Sequence, residues 1–515
     1  MHRVRSQSLK VMAVSWLLCL AGNLALAKPN THPQATTEGK SAEGKSVPGK
    51  SLSLPAGIKQ AFEAAQVPLQ NVSILITPLG APPAAKAAPT DLPPPRLSHR
   101  PQAEMNPASV MKLITTSAGL SLLGTEFTWR NQVWVDGPVK NGVLQGNLYL
   151  KGSGDPKLVV ERLEILLAEL MAKGIREVQG DIVLDGSVFD LPSQNPASFD
   201  DEPLRPYNVA PQGLLLNFNA LLLKFTPDVT RNEAKVESEP PLAQVQVPST
   251  VTLSSGPCQD WRTQLRADFS NPDLVRFNGT YPAACGELKW PVAYIQPKTF
   301  AARMVKAMWL KGGGQLQGQA REGSTPARAT LWHEATSLPL SDIVADINKF
   351  SNNVMAQQLF LTLSSSQGRG NFEASRKTVL NWWQQNLPAQ KPPVLDNGSG
   401  LSRDERSNAQ ALSALLYLAA QSSYGSALTQ SLAIAGVDGT VARLKDRQPQ
   451  SPAIGRARLK SGSLRDVASL AGYVEGLSGQ RYIFVVIVNH PNANAARPAL
   501  DKLLDWTVAD QKKSL

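Results

Sequence analysis

Two side chains three positions apart carry the first chemistry in this sequence: Ser109 and Lys112, in the run Asn106-Pro107-Ala108-Ser109-Val110-Met111-Lys112. A serine hydroxyl is a weak nucleophile until its proton is removed, and a lysine amine kept neutral by burial or by a second cation can remove it. Asn106 is a good N-cap, Pro107 suits the first helical position, and the apolar run behind them has helical spacing. The sequence therefore predicts a buried helix with Ser109 in its first turn, among unpaired backbone N–H groups at the positive end of the helix dipole. Lys112 would project from the same face. The chemistry is covalent catalysis by an activated serine, although a Ser-x-x-Lys spacing also arises at any helix start that carries a solvated lysine.

Two further elements hold complementary groups. Ser351-Asn352-Asn353 interrupts a stretch of helical periodicity and reads as a turn between two helices, and Lys460-Ser461-Gly462-Ser463 lies in a strand. The five histidines are scattered, so neither a Ser-His-Asp arrangement nor a metal site has a signature. The missing histidine points again to lysine as the base.

The elements that must position these groups are of two kinds. Near the amino end a short helix after Gly57 leads to a strand around 71–79. An Ala/Pro-rich loop from about 80 to 95 and a short return strand complete a hairpin. Helices are expected at about 340–350, 354–363, 372–386 and 408–421, then three antiparallel strands from Arg456 to His490 and a closing helix at about 495–509. Between Lys112 and Ser351 the character is β-rich and looks inserted. The expected organisation is a catalytic part from 56–129 plus 306–515, with an inserted β-rich part over 130–305. Terminal helices on an antiparallel sheet, with a helical block beside it, make an α+β fold.

At 515 residues and 42% hydrophobic content the chain can bury sizeable cores. Residues 1–27 have a basic start (Arg3, Arg5, Lys10), an apolar stretch and Ala25-Leu26-Ala27, the pattern of an export signal cut after Ala27. Cys19 follows Leu18 rather than a small residue, which reads against a lipid-anchored signal. Residues 28–55, with Gly-Lys-Ser recurring, read as a flexible leader. Losing the signal takes three of the eleven net positive charges, and the remaining basic surface favours anionic partners such as a wall polymer or membrane surface. No Lys/Arg cluster interleaved with aromatics argues for nucleic acid. Cys258 and Cys285 are an even pair and read as one disulfide closing a loop.

Ser109-x-x-Lys112, Ser351-x-Asn353 and Lys460-Ser461-Gly462 match in order the three-element set of penicillin-binding proteins and class A β-lactamases. The resemblance sharpens with N-P-A-S-V-M-K, G-S-G-D-P, N-K-F-S-N-N-V-M, D-N-G-S-G-L-S-R and A-G-V-D-G-T. Over the chain from about residue 56 it resembles the serine peptidase S13 family, the penicillin-binding protein 4 type of D-alanyl-D-alanine carboxypeptidase/endopeptidase. Ser461 stands where threonine is commoner, and Asn397 extends the usual Asp-Gly-Ser-Gly by one residue.

The resemblance implies a penicillin-binding/β-lactamase-like core acting in the periplasm on peptidoglycan stem peptides, with β-lactams as covalent inhibitors and no cofactor. It implies Ser109 as nucleophile, Lys112 as base, Ser351 as proton relay and Asn353 as holder of the substrate peptide group. Lys460 would be a second cation that draws the terminal carboxylate, with Ser461 beside it. The Ser109 and Ser463 amides would form the oxyanion hole. Asp155 and Arg403 are further candidates for the charged side chain of the substrate's diamino acid, against the plainer readings of a turn-capping acid and a surface arginine. A β-lactamase, or a wall-binding protein without catalysis, would carry the same residue set.

Overall fold

The computed structural model describes residues 54–80 and 92–511. The expected export signal, nearly all of the leader and the middle of the Ala/Pro-rich stretch lie outside them. The strand Arg481–Asn489 is buried at all but its two end residues. It is the fourth of six antiparallel strands, in the order 433–434, 457–464, 467–475, 481–489, 72–78 and 97–99. Its side chains alternate between two cores. Phe484, Val486 and Val488 pack with Ile58, Phe62, Leu500 and Leu504 of the first and last helices. Ile483, Val485 and Ile487 pack with Val110, Leu113, Trp383 and Leu412 on the other side. The strand is apolar throughout because both faces are covered, each buried side chain contributing about 1.5–3 kcal/mol.

Val72–Pro78 pairs with Arg481–Asn489, Val72 opposite Val488, so the two ends of the described chain close one sheet. Leu97–His99 returns antiparallel on the outer side, as the hairpin expectation requires. On the inner face two helices have almost no solvent side: Lys112–Leu123 is buried from 112 to 120, and Asn353–Ser365 from 353 to 364. Such helices must lie between layers. They approach closely at Gly119, where a Cβ would come within 3.0 Å of Leu359. The architecture is α+β.

The inserted part has its own sheets. Ala320–Glu322, Ile182–Asp185, Leu148–Lys151, Arg130–Val135 and Thr330–Thr336 form a five-stranded sheet in that order. Helices Val160–Ala172 and Pro297–Lys311 share its core through Leu163, Leu166, Phe300, Met304 and Trp309. A second five-stranded sheet is built around Ala220–Asp228, and Phe225 stacks on Tyr281 in its core at 5.3 Å between ring centres. The Cys258–Cys285 disulfide is formed. The inserted sheets run past the expected boundary at 305, because Thr330–Thr336 pairs with Arg130–Val135 and Ala320–Glu322 with Ile182–Asp185. No helix among the described residues is long and apolar enough to cross a membrane.

The central strand is tied to the segment before Ser109 by its last residue. Asn489 Oδ1 accepts the Asn106 N–H at 2.8 Å, and Nδ2 donates to the Asn106 carbonyl at 2.9 Å. At about 1 kcal/mol for each bond, Asn489→Ala should lose about 1–3 kcal/mol in urea unfolding. A midpoint equal to the parent's would show that this tie does not hold the segment.

Candidate active site

Ala108–Met111 is a single 3-10 turn and the α-helix proper begins at Lys112, a tighter start than the predicted α-helical turn. Asn106 Oδ1 accepts the Ala108 N–H at 2.8 Å. Ala108 has φ 47°, a left-handed backbone that persists in a non-glycine residue only where its surroundings enforce it. Two glycines do so. A Cβ on Gly400, itself at φ 80°, would overlap the Ala108 carbonyl, and one on Gly462 would stand 2.5 Å from the Pro107 oxygen and 3.1 Å from Ser109 N. Ser469 Oγ adds a hydrogen bond to the Pro107 oxygen at 2.7 Å. The serine is thus held between two strips of glycine backbone.

Lys112 is fully buried. Its Nζ lies 3.0 Å from Ser109 Oγ, 2.6 Å from Asn353 Oδ1 and 2.5 Å from the Ser399 carbonyl. Burial lowers its pKa from 10.5 to about 7, while the negative charge of Glu405 pulls the other way. Three partners suit both protonation states. A neutral amine donates to Asn353 and Ser399 and accepts the Ser109 proton, whereas an ammonium donates to all three. The proton can move from serine to lysine with no partner rearranged.

Ser351 ends the helix Leu340–Phe350 at φ 57°, and Asn352 caps the next helix by accepting the Met355 N–H at 3.1 Å. Two helix ends meeting here turn Ser351 and Asn353 toward the two lysines. Lys460 Nζ donates to Ser351 Oγ at 2.8 Å and to the Ser461 carbonyl at 2.7 Å. Lys460 is also fully buried, and burial, then repulsion from Lys112, hold its pKa well below the usual lysine value. Burial first, and the neighbouring Lys112 second, thus both disfavour a second ammonium in this dry pocket. Ser461 Oγ donates to Thr440 Oγ1 at 2.7 Å. The loop bearing Thr440 is clamped to the helix end before Ser351 by the Lys349–Asp438 ion pair, 2.6 Å.

The strand Ala457–Leu464 presents its outer edge to this pocket. The Ala435 N–H bonds to the Ala457 carbonyl, so odd-numbered residues direct their backbone groups away from the neighbour at 467–475. Toward Ser461 the pairing strand on that side reaches only to Ala433, opposite Leu459. Beyond it, the backbone groups of Ser461 and Ser463 have no partner strand among the described residues, and they run alongside Gly462 and the serine turn.

The structure thus brings Ser109, Lys112, Ser351, Asn353, Lys460, Ser461 and Gly462 together, and Ser463 follows on the same strand with its exposed hydroxyl donating to Asn494 Oδ1 at 3.1 Å and accepting from Arg497 Nη2 at 3.0 Å. Asp155 makes no hydrogen bond or ion pair with these groups. That carboxyl is buried, accepting Asn131 Nδ2 at 2.8 Å and the Lys157 N–H at 2.9 Å, so the turn-capping alternative is what is observed. Arg403 lies at the rim, half exposed, with Nη1 2.8 Å from Asp466 and its guanidinium 4.8 Å from the Phe199 ring centre. Sequence reading missed the Ser399 carbonyl, Thr440, Ser469 and Glu405. It also missed the Tyr207 carbonyl, which fixes the second side of Asn353 by accepting Nδ2 at 3.2 Å. Backbone carbonyls leave no mark in a sequence. Among the described residues no group of three or more His, Cys, Asp or Glu is placed to hold a metal ion.

The family profile described as D-Ala-D-Ala carboxypeptidase 3 (S13) matches residues 90–509. The chain is 25% identical over 384 residues to D-alanyl-D-alanine carboxypeptidase DacB of Haemophilus influenzae, covering 74% of this chain and 80% of that protein. It is 27% identical over 425 residues to the D-alanyl-D-alanine carboxypeptidase of an Actinomadura species, covering 79% and 77% respectively. The crystal structure of penicillin binding protein 4 from Haemophilus influenzae shares the fold with a TM-score of 0.68 at 23% identity, over 87% of this chain and 100% of that one.

The glycine cradle gives a direct test. Gly462→Ala forces a methyl against the Pro107 carbonyl and Ser469 Oγ. It should slow covalent labelling of the serine by a fluorescent penicillin at least ~100-fold, as misplacing a reacting atom by about an ångström does, while leaving the circular dichroism spectrum unchanged. Labelling at the parent rate would mean that the turn can retreat without cost.

Proposed function

Since the chain belongs to the D-Ala-D-Ala carboxypeptidase 3 (S13) family, we propose that it hydrolyses the D-Ala-D-Ala ends of peptidoglycan stem peptides, and the cross-links made from them, through an acyl-enzyme on Ser109. β-Lactams would acylate the same oxygen. The observation that carries this reading is the 3.0 Å contact between Ser109 Oγ and a buried amine held near neutrality.

Each step has a group to perform it. Ser109 Oγ attacks the carbonyl carbon of the penultimate D-Ala as its proton passes to Lys112 Nζ. The carbonyl oxygen becomes an oxyanion facing the amides of Ser109 and Ser463, fixed in advance by the cradle and the open strand edge. The C–N bond to the terminal residue breaks, and the proton reaches the departing amine by way of Ser351. A substrate lying along the open edge of Ala457–Leu464 would add one strand to the sheet. Its terminal carboxylate would then lie near Lys460, Ser461 and Thr440, and that negative charge would favour the ammonium form of Lys460 against the burial that opposes it. Water then cleaves the ester on Ser109. The basic and apolar order of residues 1–27 supports export to the periplasm with cleavage after Ala27, and the positive surface supports a peripheral hold on the wall or membrane.

Ser109→Ala should form no covalent penicillin adduct and release no D-Ala from purified muropeptides followed by mass spectrometry. An adduct in this variant would place the nucleophile elsewhere. Monomeric and cross-linked muropeptides offered in parallel separate carboxypeptidase from endopeptidase action.

The pH dependence has a fixed sign. Below about 7 Lys112 carries a proton and cannot accept the serine's, so the acylation rate should rise with pH and level off above about 7. A rate constant across that range would remove Lys112 as the base.

A further inference from the structure

Behind the cleft lies a buried acid that none of these steps uses. Glu405 is fully buried. Its Oε1 accepts the N–H groups of Asp396 and Asn397 at 3.2 Å each and of Gly398 at 2.8 Å, the Gly400 amide also favours the carboxylate, and Oε2 has no hydrogen bond of ordinary geometry among the described residues. A carboxyl kept only to cap this turn would be an expensive choice, because one amide oxygen would serve the same three donors without an ionisable group left in the dry interior. The turn it grips is the one that delivers the Ser399 carbonyl to Lys112 Nζ at 2.5 Å. Its Gly398 carbonyl also accepts Thr115 Oγ1 at 2.6 Å, from the helix that begins with Lys112.

The charged groups around this pair are few. Lys460 faces Lys112 from the strand edge. On the far side Asp396 adds a negative charge near Glu405, and Arg376 Nη1 donates to the Asp396 carbonyl at 2.9 Å. Burial raises the Glu405 carboxyl to about 7, and the amides of Gly398 and Asp396 oppose that rise. The amine of Lys112 and this acid therefore change charge over the same range, and the Glu405 carboxylate favours the ammonium form of Lys112.

We propose that Glu405 is a positioning residue for acylation: through the 396–400 turn it fixes the carbonyl that orients Lys112 Nζ, and its carboxylate is the buried counter-charge of Lys112 once the serine proton has arrived. The proposal rests on Lys112 being the base. An ammonium in a water-free pocket with another amine beside it requires a nearby anion, and in a low-dielectric interior that anion acts through an intervening turn.

Glu405→Gln keeps the shape and one acceptor oxygen while removing the charge. The test is the second-order acylation rate of the intact protein by a fluorescent penicillin across pH, normalised to titrated active sites. The expected result is an acid limb moved toward lower pH by about half a unit or more, because the amine stays neutral further into acid, with a limiting rate several-fold lower. A limiting rate that falls while the acid limb stays in place would reduce Glu405 to a structural cap and overturn the proposal. Should that variant fail to fold, Glu405→Asp keeps the charge and shortens the reach. Its acid limb should hold its place while the limiting rate drops, and a displaced limb would overturn the proposal equally. Lys112→Ala separates the two levels. Acylation surviving in it removes the base and the proposal together, whereas its loss beside an unmoved Glu405→Gln limb removes only the proposal.

Discussion

The cleft depends on one act of desolvation: the Lys112 amine is enclosed where no water reaches it. Moving its pKa from 10.5 to about 7 corresponds to a differential on the order of 5 kcal/mol between its two protonation states. That cost is met by the same structure that makes the amine useful. Burial makes the base, the Asn353 and Ser399 oxygens orient it, and the Ser109 hydroxyl is left as the one neighbour with a proton to give. A solvated lysine at the same spacing would be protonated and inert at neutral pH.

Enclosure of this kind needs rigid walls, and the fold supplies them from elements far apart in the chain. The lysine opens a helix buried from 112 to 120, between a sheet covered on both sides and a second buried helix that begins with Asn353. The strained Ala108 persists because Gly400 and Gly462 leave room for its carbonyl and the Ser109 amide and for nothing larger. A well-packed core of this sort deforms little, so the positions of Ser109 and of the amides around it are set before any substrate arrives.

What could be read from the sequence follows from what each signal encodes. Ser109, Lys112, Ser351, Asn353 and Lys460 were legible because their chemistry is carried by side chains and their contexts, a helix start, an interhelical break and a strand, have local signatures. The α+β class was legible because the strand Arg481–Asn489 and its flanking helices have clear periodicity. The end of the inserted part was not, since Thr330–Thr336 is defined by pairing with Arg130–Val135, which local pattern does not record. Asp155 shows the opposite case: an acid in a Gly-rich turn looks the same in sequence whether it faces solvent or, as here, is enclosed by Asn131 and its own backbone. Glu405 was hidden in Arg403-Asp404-Glu405-Arg406, a run that reads as a solvated surface, and only the fold turns its third residue inward.

The charge balance of the pocket explains why two lysines can coexist there. At rest the site holds two enclosed amines and one enclosed acid, and each amine is pushed toward neutrality by burial. On the proposed reading, a substrate carboxylate at the Lys460 end would stabilise an ammonium there, and that ammonium would disfavour a proton on Lys112. Binding of the correct terminus would thus sharpen Lys112 as a base at the moment it is needed, whereas a peptide lacking a free carboxylate would leave Lys112 less biased. Selectivity for a chain end and activation of the nucleophile then become one electrostatic event, and the ion pair Lys349–Asp438 matters because it keeps the Thr440 loop, and with it Ser461, at the end where that event begins.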